Sequence, residues 1–170
     1  MSRVKTLTRT VEYAHPPEKV WTALTTPEAL AEWLMPNNFR PEEGRSFEFR
    51  VDPMLSYLGI AECRVLEVDP PRRLVYTWIS RMKNRDRHPP MTLVWTLEPV
   101  DGGTRLTLEQ SGLEHLPLWW RFSMKMGWGR MLKTLLPRVL DNVGSDGHFT
   151  PGAVTRRDYG VTTVPEDFAV

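Results

Sequence analysis

The side chains able to do chemistry are few and scattered along the chain. The four histidines are His15, His88, His115 and His148. None stands three or four residues from another, and no cysteine or carboxylate completes a metal-binding spacing, so no metal or other cofactor is expected. His15 and His88 each precede a Pro-Pro pair, which marks surface turns. Glu114-His115 is the one adjacent acid–imidazole pair, but neighbouring side chains diverge and a catalytic dyad is not expected. No Gly-x-Ser-x-Gly elbow, phosphate-binding loop or dinucleotide fingerprint occurs. Catalytic residues are therefore expected to be none, although scattered residues can also support a reaction.

Two further clusters invite chemistry and read more simply. Cys63 alternates with Ala61 and Val65, as a small buried hydrophobe in a strand would, while Arg64 points to the opposite face. Arg81, Lys83, Arg85 and Arg87 are the best candidates for a polyanion contact. The run is short, holds Asp86 and has no interleaved aromatic residue, so a solvated turn is expected and no nucleic acid.

The aromatic residues carry more information. Seven Trp and eight Met stand in 170 residues. Trp33, Trp78, Trp95 and Trp128 fall on positions that face a common interior. Four indoles under one helix are costly to bury unless each N–H finds a partner. Water or a guest molecule in a cavity would supply those partners more readily, so the four either fill a solid core or line a cavity. Tyr76 and Gln110 are the polar candidates for orienting a ligand, and Leu132 and Leu135 the apolar ones for its roof. The aromatic run Leu116–Met126 (LPLWWRFSMKM) admits three readings. It is a lid or packing element, a dimer contact, or, least favoured, a membrane-interface segment.

These residues need elements to hold them. Val4–Tyr13 alternates as a half-buried strand. His15-Pro16-Pro17 ends it and opens a short helix carrying Val20, Trp21 and Leu24. Thr26-Pro27 starts a second, with Thr26 as a candidate cap and Leu30, Trp33 and Leu34 as its stripe. Five strands follow, at 46–51, 58–68, 73–79, 91–98 and 104–110, joined by short Pro- and Gly-bearing turns that force antiparallel neighbours. Trp128, Leu132, Leu135, Leu136 and Val139 then form an amphipathic helix with Pro137 at its weak point. Residues 1–144 are expected to form one domain and 145–170 an extended tail. The fold class is α+β: a six-stranded curved antiparallel sheet wrapped around the long C-terminal helix, with two short helices after the first strand.

Bulk properties agree. The 22 basic and 21 acidic residues leave a net charge of +1, with no global field to attract polyanions. One cysteine, no signal-like apolar run and no apolar stretch of membrane-spanning length suggest a cytoplasmic protein.

The stretches PPEKVWTALTTPEALAEWL, ECRVLEVDPPRRLVYTW and GGTRLTLEQSGL, in this order and spacing, resemble activators of the heat-shock-protein-90 ATPase (AHSA-type). The resemblance is to the bacterial homologues of that activator's C-terminal domain, in the START/Bet v-like (SRPBCC) superfamily, and it runs from about Thr8 to Val143. It implies a helix-grip fold with a cavity between sheet and long helix. Trp33 and Trp78 would point into that cavity, and Gln110 and Trp128 would stand near its mouth or roof. It further implies a domain that binds a hydrophobic, lipid-like or aromatic small molecule. The alternatives are a co-chaperone-like module docking on a chaperone, and a polyketide cyclase/dehydratase-like enzyme; a homodimer is also admitted. The segment between Gly112 and Gly127, the tail and the basic hairpin depart from the family pattern, so no particular ligand carries over.

Overall fold

The computed structural model describes residues 6–152 and 162–169. Its six strands are β1 (Leu7–Tyr13), β2 (Ser46–Arg50), β3 (Tyr57–Asp69), β4 (Arg73–Met82), β5 (Met91–Val100) and β6 (Gly103–Ser111). They form one sheet in the order β1-β6-β5-β4-β3-β2, antiparallel throughout. Short turns make β2 to β6 a meander, and β1 returns to pair with β6, Leu7 opposite Gln110 and Tyr13 opposite Thr104. Val4 and Lys5, expected in the first strand, lie outside the described residues.

The sheet is bent at β3, whose register against β4 shifts between Tyr57 and Ala61 and again between Val65 and Glu67. Gly59 sits in the first irregularity at φ +75°, where an added Cβ would lie 2.0 Å from the Val51 carbonyl oxygen. Only glycine fits there, and the bulge curls the sheet toward its covered face. That face carries Phe47, Phe49, Ala61, Val65, Trp78, Leu93, Trp95, Leu106 and Leu108, all buried.

Helices α1 (Pro17–Thr25) and α2 (Pro27–Trp33) follow β1, each with Pro at its start. Thr26 occupies the cap position of α2, but its side chain makes no capping hydrogen bond, contrary to expectation. The long C-terminal helix comprises α3 (Leu118–Arg130), a π-helical turn (Met131–Leu135) and α4 (Leu136–Leu140). It thus begins ten residues before the apolar stripe that marks it in the sequence. The reason is that α3 carries apolar residues on two faces. Trp120, Met124 and Trp128 pack inward, while Leu118, Phe122 and Met126 are exposed, so no single 3.6-residue stripe stands out.

Pro137 explains the π-turn. The Leu136 N–H bonds to Met131 O, five residues back, and Pro137 has no N–H to offer Leu132 O. That orphaned carbonyl accepts a 2.6 Å hydrogen bond from the buried Tyr13 hydroxyl. Strand β1 therefore clamps the helix at its irregular turn. Burial pushes the Tyr13 phenol up, so it remains a donor.

Past the helix, the described tail residues have no helix or strand of their own, yet they dock. Val143 bridges to Phe149 and Asn37 to Ala169. Phe168 is buried, and Thr162 and Thr163 hydrogen-bond Asp52. The Asp52 carboxyl is held low by the Thr163 backbone N–H above all, with the two threonine hydroxyls adding to it.

Candidate functional site

The space between sheet and long helix is where the candidate residues meet. Trp33, Tyr76, Trp78, Trp95, Gln110, Trp128 and Leu132 are all buried there, and Leu135 is half-buried against them. The indoles interlock edge to face. Ring centroids are 5.9 Å apart for Trp33–Trp95, 5.6 Å for Trp95–Trp128 and 6.3 Å for Trp78–Trp128. The expectation that their N–H groups call for water or a guest is corrected by the hydrogen bonds. Trp33 donates to Ala23 O (2.8 Å), Trp78 to Ser80 Oγ (2.9 Å), Trp95 to the Tyr76 hydroxyl (3.1 Å) and Trp128 to Gln110 Oε1 (2.8 Å). The acceptors come from α1, from β4 (Trp78's own strand in the case of Ser80) and from β6, a matter of rotamers and packing that spacing does not reveal.

The unsatisfied polarity lies with other donors, and it gathers along α3. Gln110 is fully buried. Its carbonyl oxygen serves Trp128, while among the described residues its amide nitrogen reaches only two thioethers, Met91 Sδ at 3.6 Å and Met124 Sδ at 4.0 Å. Sulfur is a weak acceptor for an amide that carries two N–H groups. The Trp120 indole N–H and Arg9 Nε are buried with no hydrogen-bond partner among the described residues. The Tyr76 hydroxyl accepts from Trp95 and donates to no group among the described residues, and burial first of all pushes its phenol up. Each buried donor left without an acceptor costs about 1–3 kcal/mol.

Sequence reasoning missed Arg9, and it named Trp120 only within the aromatic run 116–126, as a lid or packing element. The signal for Arg9 was present: it shares the parity of Leu7, Val11 and Tyr13 and so faces inward. Its guanidinium donates to Lys125 O on α3 at 3.3 Å. Arg9 also lines a groove of about 330 Å³ between β1 and α3, with Leu7, Leu113, Arg121, Phe122 and Lys125.

The remaining candidates stay apart. His15 stands 3.4 Å from Asp141, His115 3.7 Å from Glu114 and His148 3.4 Å from Asp146. His88 Nε2 accepts from the Ser80 N–H at 3.0 Å, a brace for its hairpin. No group of three or more metal-ligating side chains assembles among the described residues. Burial, then Glu48 and Glu62, push the Cys63 thiol well up, which disfavours the thiolate form. Of the basic hairpin, Arg81 and Arg87 both clamp Glu62, at 3.0 and 2.7 Å. That ion pairing on the outer sheet face draws two of the four charges out of the solvated turn expected. No helix among the described residues is long and apolar enough to cross a membrane.

One strand, two helices, a five-stranded meander and a covering helix define the helix-grip class of α+β domains. The chain belongs to the family described as activator of Hsp90 ATPase homolog 1-like proteins, whose model matches residues 14–141, within the START/Bet v-like superfamily. Among solved structures it is similar to protein MLL2253 of Mesorhizobium loti, at 34% identity over 82% of this chain and 99% of that one, with a TM-score of 0.69. Protein BH1534 of Bacillus halodurans is 25% identical over 82% and 99% of the two chains, with a TM-score of 0.65. Protein CV1439 of Chromobacterium violaceum is 26% identical over 77% and 94%, with a TM-score of 0.60. No curated protein matches the chain.

Proposed function

We propose that this protein binds an apolar small molecule between the sheet and α3, with α3 swinging outward about the π-turn to admit it. The observation that carries this reading is the buried Gln110 carboxamide, whose donors meet only thioethers among the described residues. A carbonyl or hydroxyl oxygen on a guest would satisfy them far better, while its apolar body would replace Met91 and Met124 against Trp78 and Trp128. Methionine is the side chain best suited to such yielding, having three rotatable bonds and no branch. Trp33, Tyr76, Trp95, Leu132 and Leu135 would form the deeper wall.

The cost of opening is modest, because Trp128 is the only residue of α3 that is buried outright. Each apolar Å² of the guest removed from water returns about 25 cal/mol. The family's fold and its tendency to hold hydrophobic ligands support the same reading, which is one of binding and assigns no reaction. A lone, buried cysteine suits a reducing cytosolic setting. The test is titration with a panel of aliphatic and aromatic alcohols and ketones, followed by tryptophan emission. Saturable change in the wild type, weakened in Gln110→Ala, is expected; no response to any member contradicts the reading.

A second reading rests on a different observation. Leu118, Trp119, Phe122 and Met126 are exposed on α3, with Met54 and Leu55 exposed in the β2–β3 loop. A patch of this kind suits a protein partner, either a chaperone or a second copy of the chain. Light scattering across a concentration series separates the two, since self-association raises the mass and is lost in Phe122→Ser.

A further inference from the structure

The groove between β1 and α3 has the makings of an anion site. Its cations are Arg9, Arg121 and Lys125; its other walls are Leu7, Leu113 and Phe122 together with two threonines, and among the described residues no carboxylate lines it. Arg121 is fixed in place by the carbonyls of Leu116 (2.8 Å) and Glu114 (2.8 Å), which orient the guanidinium. Arg9 is the more telling residue. Period-two alternation puts it on the core-facing side of an edge strand, between Leu7 and Val11, where an apolar residue belongs. It is held there by one hydrogen bond to Lys125 O, and its buried Nε has no partner among the described residues.

The groove adjoins the proposed binding space. Leu7 pairs with Gln110 and Arg9 with Leu108, so Arg9 and Gln110 are diagonal neighbours on the inner face. Such positions lie roughly 7–8 Å apart, a span that one small molecule bridges. The same stretch of α3 covers both, through Met124 over Gln110 and Lys125 over Arg9. An inward charge on an edge strand also discourages edge-to-edge pairing. That role, however, asks nothing of Nε and predicts no preference among ligands.

We infer that the guest is an amphiphilic carboxylic acid, its carboxylate held by Arg9 with Arg121 and Lys125 at the groove, its apolar body passing beneath α3 to Gln110. This deepens the proposed function and rests on it. The test is calorimetric titration with octanoate and octan-1-ol, probes of matched length that differ in charge. Wild-type protein is expected to bind octanoate about tenfold or more tighter, the worth of one charge-assisted hydrogen bond. Arg9→Met should bring the two probes within a few-fold of each other, Arg9→Lys should keep part of the preference, and Gln110→Ala should weaken both probes alike. Equal affinity for the two probes in the wild type overturns the inference and leaves an apolar guest standing. A folded Arg9→Met, checked by circular dichroism, that keeps the full preference overturns it as well. If neither probe binds, the inference and the reading beneath it fall together. The wild-type comparison needs no variant, so a poorly folding mutant does not shelter the proposal.

Discussion

The two halves of the C-terminal helix obey different rules. In α4, Leu136, Val139 and Leu140 are all buried, and with Leu132 they pack against α1 and α2. In α3, thirteen residues bury only Trp128 outright and leave Leu118, Trp119, Phe122 and Met126 to solvent. Between them lies a π-turn forced by Pro137 and clamped by Tyr13. The contrast separates an anchor from a cover. Among the described residues, no buried side-chain polar atom of α4 lacks a partner, whereas Trp120 on α3 and Arg9 beneath it each carry one and Gln110 offers its amide to thioethers.

Truncating one apolar residue from each half puts this contrast under the greatest strain. Leu136→Ala should lose about 2–5 kcal/mol in urea unfolding, since it opens a cavity in a closed core. Phe122→Ala should stay within about 0.5 kcal/mol of the parent. Comparable losses from both would erase the distinction. The clamp comes next: Tyr13→Phe leaves Leu132 O buried without a donor and should cost about 1–3 kcal/mol. Its α3 amides should also exchange faster, as the hinge loosens.

A smaller effect has the opposite sign. Gly129 is helical, and an added Cβ would meet nothing within 4 Å. Gly129→Ala should therefore stabilise the protein by about 1 kcal/mol, and stopped-flow mixing should show slower uptake of an apolar probe. The smallest effect belongs to the tail. Asp52 has a lowered folded pKa, so its tether to Thr162 and Thr163 is intact above the unfolded carboxylate value of about 3.9. It is lost as pH falls through the lower, folded value. The amide resonance of Thr163 should follow that titration, and Asp52→Asn should flatten it.

Much of this architecture is legible in the residues themselves. The alternation of Leu7, Val11 and Tyr13, the Pro-started short helices and the turn-punctuated strands give the sheet and its order. The convergence of Trp33, Trp78, Trp95 and Trp128 follows from strand parity and helix spacing. What stayed hidden depends on tertiary partners. The indole acceptors are set by which rotamer meets which neighbour: along β4 for Trp78, across the sheet for Trp95, and between helix and helix or helix and sheet for Trp33 and Trp128. The start of α3 is masked because exposed Leu118, Phe122 and Met126 share the helix with inward Trp120 and Met124. Pro137 reads as a weak point, but its repair by Tyr13, more than a hundred residues earlier, requires the folded chain. Arg9 was readable by parity alone, yet a single cation in a Thr-rich strand passes as surface until α3 is seen above it.

Whether a guest sits beneath α3 against Gln110 can be read by NMR of the selectively labelled protein titrated with octan-1-ol. A large shift of the Gln110 side-chain amide is expected, with nuclear Overhauser contacts from the alcohol to the Trp128 ring and the Met124 methyl. Contacts confined to the outer sheet face, around Thr77 and Ile79, with the Gln110 amide unmoved, would rule out a guest beneath the helix.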